Sequence, residues 1–290
     1  MDIVFVILHY NVIQETQNLI ASIKDKIDTD KYQIIVVDNH SPNGSGETLA
    51  TSFQDDEEVT VIINKENIGF AKGNNIGIDY ARNTFDPDYI CCLNNDTLLI
   101  QSDFLYQIKK EYKKSNAAVI GPLAYLKDGS VQTSAYVLRD LDYYKHELDR
   151  YLVDGENAPN PGKSWMKERL PFVYKTLKSV KNNYIFPGLC LRKENRVLHG
   201  SCLIFTPSFF DVLKGFDNRT FLFREEELLY ISTKKQNLLT VYNPKIRIKH
   251  LEDAATDSII QTSDEKKEFI RKHQIASLKI LIDEMEKVTK

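Results

Sequence analysis

The sequence predicts an α/β protein with a doubly wound, mostly parallel sheet. Three continuous apolar runs, at residues 3–8, 34–37 and 89–93, are typical of parallel strands that are covered on both faces. Segments in which apolar residues recur at helical spacing separate these runs, so strands and helices alternate over the first hundred residues. Such alternation indicates a doubly wound sheet with right-handed crossovers.

Length and charge limit the class of protein. The chain has 290 residues, is 42% hydrophobic and carries a net charge of −3, which allows a sizeable core and argues against a nucleic-acid binder. The apolar start is short and lacks a basic leader, so we expect a first strand instead of a signal peptide or a membrane span. Cys91 and Cys92 lie in an apolar strand, which favours buried thiols and a cytoplasmic location.

The first half of the chain is predicted to alternate strictly. We expect strands at 3–8, 34–37, 59–63, 89–93 and 117–122, and helices at 15–26, 46–53, 75–83 and 102–114.

The second half is less regular. Residues 138–196 are predicted to be an insertion with short helices, one at about 171–180. Nine Lys or Arg against two Glu between residues 163 and 196 are equally compatible with a solvated helical hairpin. Strands are expected at 198–205 and 245–250. A capping box of Thr262 and Glu265 predicts a final helix, so we expect one domain over 1–260 and a C-terminal helix over 261–290 that packs on it. Peripheral membrane association of this helix, at the inner face of a membrane, stays open.

One strand is followed by a polar triplet whose last residue is an acid. The run 89–93 is followed by Asn94, Asn95 and Asp96, and ligands of α/β sheets bind just beyond the carboxyl ends of the strands. An Asp at that point can hold a divalent cation against a phosphate. Asn and Asp also close turns with their own side chains, so a turn is the alternative.

The ends of neighbouring strands provide further polar residues that could line such a site. Asp38 and Asn39 follow the second strand, and residues 64–75 contain two glycines and four asparagines, which favours close backbone approach to a ligand. The segment has neither a dinucleotide fingerprint nor a P-loop. A nucleotide could still lie across the strand ends, with Asp38 near the base or ribose and Asp96 with a metal near the phosphates.

These motifs carry a family resemblance. Residues 36–39, 67–75 and 93–97, in this order and spacing, resemble family 2 glycosyltransferases of GT-A fold, most closely the rhamnosyltransferase-like branch. The resemblance implies inverting, metal-dependent transfer of a sugar from a nucleotide-sugar donor, with Mn²⁺ or Mg²⁺ as cofactor. The implied acceptor is a glycan or lipid-linked glycan in surface polysaccharide synthesis, and the insertion would form part of the acceptor side. dTDP-rhamnose is the first choice of donor and a UDP-hexose the second.

The resemblance also assigns residues. By it, Asp96 binds the metal, and the donor is bound by Tyr10, Asn11, Asp38, Asn39, Gly69, Lys72, Gly73, Asn74, Asn94 and Asn95. Asn94 stands where the family has the first acid of its Asp-x-Asp motif, which leaves a weaker metal site. Several relatives place a metal-binding His after the last core strand, where this chain has His250. A lone His is otherwise more often structural.

The expected catalytic base comes from an acidic helix start. Residues 221–227 resemble the family motif whose second acid is the base, which places the base on Glu226 with Glu225 beside it. Acids in a first helical turn also favour the helix dipole, which is the alternative. Three consecutive acids repel one another, however, and a site explains that cost better than a cap.

Two other functions stay open at this point. A nucleotidyltransferase of similar fold would also use a metal at an acid-ended strand, and a non-catalytic sugar-nucleotide-binding protein would explain Asn94. The only Trp is Trp165, and the Gln-x-x-Arg-Trp motif of processive polymerases is absent, which favours addition of one or a few sugars. The sequence does not indicate an oligomeric state.

Overall fold

In the computed structural model, which describes residues 1–153, 187–251 and 263–289, a nine-stranded sheet forms the centre. The strands of the described ranges are β1 Ile3–His9, β2 Tyr32–Asp38, β3 Val59–Ile63, β4 Tyr89–Asn94, β5 Thr97–Leu99, β6 Val119–Tyr125, β7 Ala135–Tyr136, β8 Lys193–Glu194, β9 Val197–Leu198, β10 Cys202–Phe205 and β11 Thr240–His250. The helices are α1 Ile13–Lys26, α2 Ser45–Ser52, α3 Phe70–Phe85, α4 Phe104–Ser115, α5 Leu141–Val153, α6 Pro207–Phe210, α7 Glu225–Lys235 and α8 Ser263–Thr289.

The predicted α/β sheet is confirmed. Its order is β3-β2-β1-β4-β10-β6-β11-β5, with β8 paired to β11, and two apolar clusters of buried side chains cover its faces. The first four strands of this order are parallel, and so are β6 and β11. Strand β10 lies antiparallel between β4 and β6, so the sheet is mixed in its second half.

The order of strands positions the site. Strand β5 follows β4 after two residues and pairs antiparallel with the end of β11, so that His250 lies opposite Thr97. The backbone N–H of Leu251 also donates to the carbonyl of Asp96 at 2.8 Å. The end of the last core strand is therefore fixed against the acidic triplet.

Several boundaries differ from the prediction. Helix α3 begins at Phe70, five residues earlier than expected, because the Asn- and Gly-rich segment forms its first turn. The predicted strand 198–205 is two short strands separated by residues 199–201, and the short β5 was not predicted. Strand β11 begins at Thr240 instead of 245, since a register shift between Asn243 and Arg247 accommodates Pro244.

The C-terminal helix is present and packs on two other helices. Leu278 and Leu281 of α8 are buried against Leu228 and Ile231 of α7 and against Tyr144 of α5, the one described α-helix within the predicted insertion. The helix predicted at 171–180 and the capping residue Thr262 lie outside the described residues. Among the described residues, none of the helices is both long enough and apolar enough to cross a membrane.

Candidate functional site

Asp38 at the end of β2 is buried, and its carboxylate is held by local contacts. Both its oxygens accept from the N–H of Ser41, at 3.3 and 3.2 Å, and Oδ1 also accepts from the Ser41 hydroxyl. A Cβ on Gly46 would overlap Oδ2, so a glycine is needed where α2 approaches. His9 lies 4.0 Å away, but burial lowers its pKa to about 4, and it is therefore a neutral neighbour.

Asn39 fastens the loop that precedes α3. Its amide nitrogen donates to Asn67 Oδ1 at 2.8 Å and to the Gly69 carbonyl at 3.2 Å. Its amide oxygen accepts from the Asn64 side chain and from the N–H of Ile68, both at 3.1 Å. All of these hydrogen bonds of the Asn39 side chain hold the loop in place. Donor binding by Asn39 stays a prediction.

The glycines of α3 make close contacts with protein. Gly69 has φ +87°, and a Cβ there would lie 2.8 Å from the Cα of Phe221. The N–H of Phe70 donates to the carbonyl of Phe221 at 2.8 Å, which joins this loop to the segment that carries the acidic helix start. At Gly73 a Cβ would overlap the Leu8 side chain. These two glycines therefore serve close packing, whatever they do for a donor.

Four further predicted donor residues lie in α3 and just after β1. Asn74 is buried and donates to the carbonyl of Phe70 at 3.0 Å, whereas Lys72, two residues earlier, is exposed. Asn11 has φ +62°, and its N–H donates to Ser41 Oγ at 2.9 Å, beside the half-buried Tyr10. Among the described residues, Asn11 Oδ1 is buried without a hydrogen-bond partner. That oxygen is available to a ligand.

The triplet Asn94 to Asp96 follows β4 and lies against the turn before β10 and the end of β11. The N–H of Asn94 donates to the Ser201 carbonyl at 3.0 Å, and the Asn95 side chain donates to Thr16 Oγ1 at 3.3 Å. Asp96 is buried, and its Oδ1 lies 3.2 Å from His250 Nε2. The two atoms are close but not aligned for a hydrogen bond, and Oδ1 has no hydrogen-bond partner among the described residues.

Asp96 and His250, which are 154 residues apart in the sequence numbering, are thus brought together. Two ligands at right angles around a cation at about 2.1 Å are about 3.0 Å apart, close to the observed separation. No group of three His, Cys, Asp or Glu side chains suited to a metal occurs among the described residues. The pair therefore fits a cation that takes its other ligands from a diphosphate and water, and the metal roles of both residues stay predictions.

Sequence reasoning missed the side chains behind His250. Its Nδ1 lies 3.1 Å from Gln132 Oε1, and Gln132 Nε2 lies 3.3 Å from the Nε2 of His199. The rings of His199 and His250 pack edge to face with centroids 5.7 Å apart. Neither Gln132 nor His199 stands in a recognisable motif. Only the pairing of β7 with β9, which aligns Ala135 with Leu198, reveals that their segments meet.

The three acids of α7 have three different environments. Glu226 Oε1 accepts from the N–H of Gly200 at 3.0 Å, and a Cβ on Gly200 would lie 2.8 Å from that oxygen. Glu227 forms an ion pair with Arg224 at 3.1 Å. Glu225 is buried, and its Oε1 has no hydrogen-bond partner among the described residues. Burial, followed by the charge of Glu226, raises the pKa of Glu225 to about 8.

The helix that carries these acids begins under backbone strain. Phe223 and Arg224 have φ values of +74° and +69°, which residues with a side chain rarely adopt. Arg224 is held by Glu147 of α5 at 2.8 Å and by Gln274 of α8 at 3.1 Å. Such strain persists only where surrounding contacts fix it and is concentrated at functional sites. The contacts of Arg224 therefore fix the start of the helix that carries Glu225 and Glu226.

Comparisons with known proteins identify the family and the fold. The family model described as glycosyl transferase family 2 matches residues 4–167, which is more than half of the chain. The structure of S. aureus TarS 1–349 matches with a TM-score of 0.52 and 11% identity, over 98% of this chain and 70% of that one. Its complex with UDP matches with a TM-score of 0.52 and 13% identity, over 89% of this chain and 62% of that one.

These two structures are similar in fold, at identities too low to indicate more. The chain spans less than two thirds of the UDP-bound TarS chain. No curated protein sequence matches. The family match covers β1 to β7 and α5, and it therefore includes Asp38 and Asp96 but not Glu226 or His250. The chain belongs to glycosyl transferase family 2.

Proposed function

We propose that this protein is an inverting, metal-dependent glycosyltransferase that moves a sugar from a nucleotide-sugar donor to a hydroxyl of a glycan or lipid-linked glycan acceptor in surface polysaccharide synthesis. Membership of the family supports sugar transfer. The donor sugar, the acceptor and the metal dependence are our proposals. We do not propose the nucleotidyltransferase alternative, because no feature of the site favours it.

The observation that carries the proposal is the short connection between Asp96 and Glu226. Ser201 accepts a backbone hydrogen bond from Asn94, two residues before Asp96, and the neighbouring Gly200 donates to Glu226. The carboxylate that we expect to bind the cation and a second carboxylate are therefore linked through one dipeptide of the turn before β10. Sugar transfer needs this combination, because charge leaves with the diphosphate on one side while a proton leaves the acceptor on the other.

Each residue then has a defined part in one displacement. Asp96 and His250 would hold the divalent cation, which when bound compensates the charge of the leaving diphosphate. Glu226 would accept the proton of the acceptor hydroxyl while the hydroxyl oxygen bonds to the anomeric carbon and the bond from that carbon to the diphosphate oxygen breaks. A single displacement inverts the anomeric centre. Glu225, whose pKa is raised to about 8, is mostly protonated at neutral pH, so we place the base at Glu226.

The nucleotide is the next question. A structure of similar fold, S. aureus TarS 1–349, is known in complex with UDP, which makes UDP-sugars the first donors to test. The resemblance of the sequence to the rhamnosyltransferase-like branch keeps dTDP-rhamnose as the second. Asn11 Oδ1, buried and without a partner among the described residues, is the polar atom that we expect to contact the nucleotide.

Nucleotide release tests the proposal. The protein is incubated with UDP-glucose, UDP-galactose, UDP-GlcNAc or dTDP-rhamnose, with Mn²⁺, Mg²⁺ or a chelator, and free nucleoside diphosphate is measured. We expect metal-dependent release from one donor, and no release by Asp96→Asn. Release of pyrophosphate from a nucleoside triphosphate and a sugar phosphate would indicate the nucleotidyltransferase instead. Tight binding without release of any product would indicate a non-catalytic sugar-nucleotide-binding protein.

A further inference from the structure

A cavity of about 400 Å³ lies between α4 and the middle of β11, and it is lined by none of the site residues described above. This volume lies within the range of small-molecule sites, which is about 300–1,000 Å³. The lining includes five basic residues and one acidic residue, which are Lys110, Lys114, Arg192, Lys245, Arg247 and Glu111. The cavity is therefore both large enough for a ligand and rich in positive charge.

The acid in this cavity is already neutralised. Glu111 is buried and accepts hydrogen bonds from Arg192 Nη2 at 2.8 Å and from Asn243 Nδ2 at 3.0 Å. Arg192 also forms an ion pair at 2.6 Å with Glu194, which lies outside the cavity. Five basic groups against these two acids leave an excess of three positive charges. The bonds to Glu111 also hold the Arg192 guanidinium in place in the wall.

The other four basic side chains have no acidic partner. Lys110, Lys114, Lys245 and Arg247 form no ion pair within the described ranges of the chain. Clefts lined by charges of one sign focus the electric field and concentrate ligands of the opposite sign. Lys and Arg side chains also donate strong, charge-assisted hydrogen bonds to phosphate oxygens. The cavity is therefore suited to an anion such as a phosphate ester.

The position of the cavity in the sheet indicates which phosphate would bind there. Strands β6 and β11 lie on one side of β4, whereas β1 and β2, whose ends carry predicted donor residues, lie on the other side. Arg247 precedes His250 by three residues of β11, which is about 10 Å along a strand. A donor diphosphate held by a cation at Asp96 and His250 would therefore lie outside the cavity. A phosphate in the cavity belongs to another molecule.

We propose that this cavity binds a phosphate ester of the acceptor, about 10 Å from the site of sugar transfer. The acceptor is then an anionic, phosphate-bearing chain instead of a neutral glycan. This inference rests on the proposed function, because an acceptor exists only if a sugar is transferred. A single phosphate group can enter a concave cavity, whereas the flat surface of a bilayer cannot, so we assign the cavity to the acceptor and not to a membrane.

Binding of tripolyphosphate tests the anion site. The full chain is titrated by calorimetry with a chelator present, in about 0.15 M salt, which screens charges outside the cavity. We expect the double variant Lys110→Gln, Lys114→Gln to bind at least about tenfold more weakly, because each lysine loses a charge-assisted bond. The matched control is Lys109→Gln, Lys113→Gln, which removes two exposed charges from the same helix outside the cavity and should change affinity less than about twofold. Equal losses in both double variants overturn the inference.

Cys190 reports where the anion binds. It lines the cavity and is exposed, whereas the other three cysteines of the chain are buried, so neutral iodoacetamide should alkylate it selectively. We expect saturating tripolyphosphate to slow this alkylation about fivefold or more in wild-type protein and in the Lys109, Lys113 control. An unchanged rate in wild-type protein would place the bound anion elsewhere and overturn the inference.

The kinetics of transfer test the acceptor role. With the donor identified by nucleotide release, we expect the Lys110, Lys114 double variant to raise the acceptor KM about tenfold and to keep the donor KM of wild-type protein. The control pair should leave both values unchanged. The same acceptor KM in both double variants would leave the proposed function standing and overturn this inference.

Two further outcomes separate the causes of failure. If no donor is turned over while tripolyphosphate still binds and protects Cys190, the proposed function is wrong, and the acceptor role of the cavity falls with it. Phosphatidylglycerol vesicles without acceptor distinguish the membrane. If wild-type protein and the control pair bind these vesicles but the Lys110, Lys114 double variant does not, the cavity serves a lipid headgroup and the acceptor assignment is wrong.

Discussion

The two halves of the strand-end site differ in how their polar atoms are satisfied. Around the ends of β1 and β2, Asp38 and Asn39 are buried and bonded to neighbouring backbone and side chains. Around the ends of β4 and β11, buried oxygens of Asp96 and Glu225 have no hydrogen-bond partner among the described residues. In the first half only Asn11 Oδ1 is buried without a partner among the described residues, whereas the second half holds two buried carboxylate oxygens in that state, at a cost in stability.

This difference indicates which half performs the chemistry. A buried polar atom without a partner typically lowers the stability of a fold by about 1–3 kcal/mol. Proteins keep such atoms mainly at functional sites. Asn39, Gly69 and Gly73 of the first half instead determine the shape of the loop before α3 through packing and hydrogen bonds. We therefore expect changes in the first half to act mainly on stability, and changes in the second half to act mainly on rate.

The largest expected effect is that of Asp96→Asn. The change keeps size and polarity but removes the charge that we expect to hold the cation, so metal-dependent donor binding and nucleotide release should fall by about a thousandfold or more. Calorimetry with Mn²⁺ and UDP measures the binding, and thermal unfolding measures stability, which should not fall. Unchanged metal-dependent binding would show that the half with unsatisfied atoms is not the metal site.

Gly69→Ala should show the opposite pattern. Position 69 has φ +87°, and an alanine Cβ there would lie 2.8 Å from the Cα of Phe221. The alanine would therefore strain the backbone and push this loop away from the segment that leads into α7. We expect a loss of about 3 kcal/mol in the free energy of unfolding, measured by urea denaturation. Gly129→Ala is the control, because this glycine also has positive φ but has no atom within 4 Å of its Cβ position. Equal losses for both variants would show that the contact with Phe221 is unimportant.

A smaller effect concerns the pH dependence of stability. Because the pKa of Glu225 is raised from 4.5 to about 8, the folded protein keeps this proton over a range in which the unfolded chain has lost it. The free energy of unfolding should therefore fall as pH rises from about 5 to about 8, by about 3 kcal/mol. Glu225→Gln should flatten that slope. An identical slope in wild type and variant would contradict the burial of an unsatisfied acid.

The sequence predicted most of the fold because its strongest signals are local. Apolar runs and helical spacing placed the strands and helices of the first half within a few residues. The sequence did not predict the elements whose boundaries depend on contacts between distant parts of the chain. Helix α3 begins early because Gly69 fits against Phe221, and β5 is a strand only because the end of β11 lies beside it.

The site shows the same limit. The acid-ended strand and the acidic helix start were visible in the sequence, and the structure brings Asp96 to His250 as the resemblance implied, although its role stays a prediction. Gln132, His199 and Gly200 were not foreseen. Their importance arises from the pairing of β7 with β9 and from the turn before β10, and no local pattern reports such contacts.

The central claim is that Glu226 takes the proton of the acceptor while Glu225 does not. The direct measurement compares sugar transfer and donor affinity in Glu226→Gln and Glu225→Gln, using the donor and acceptor identified by nucleotide release. Loss of a general base typically lowers the rate about 10²- to 10⁴-fold. We predict that loss for Glu226→Gln with unchanged donor affinity, and near-normal transfer for Glu225→Gln. Full activity of Glu226→Gln would contradict the account.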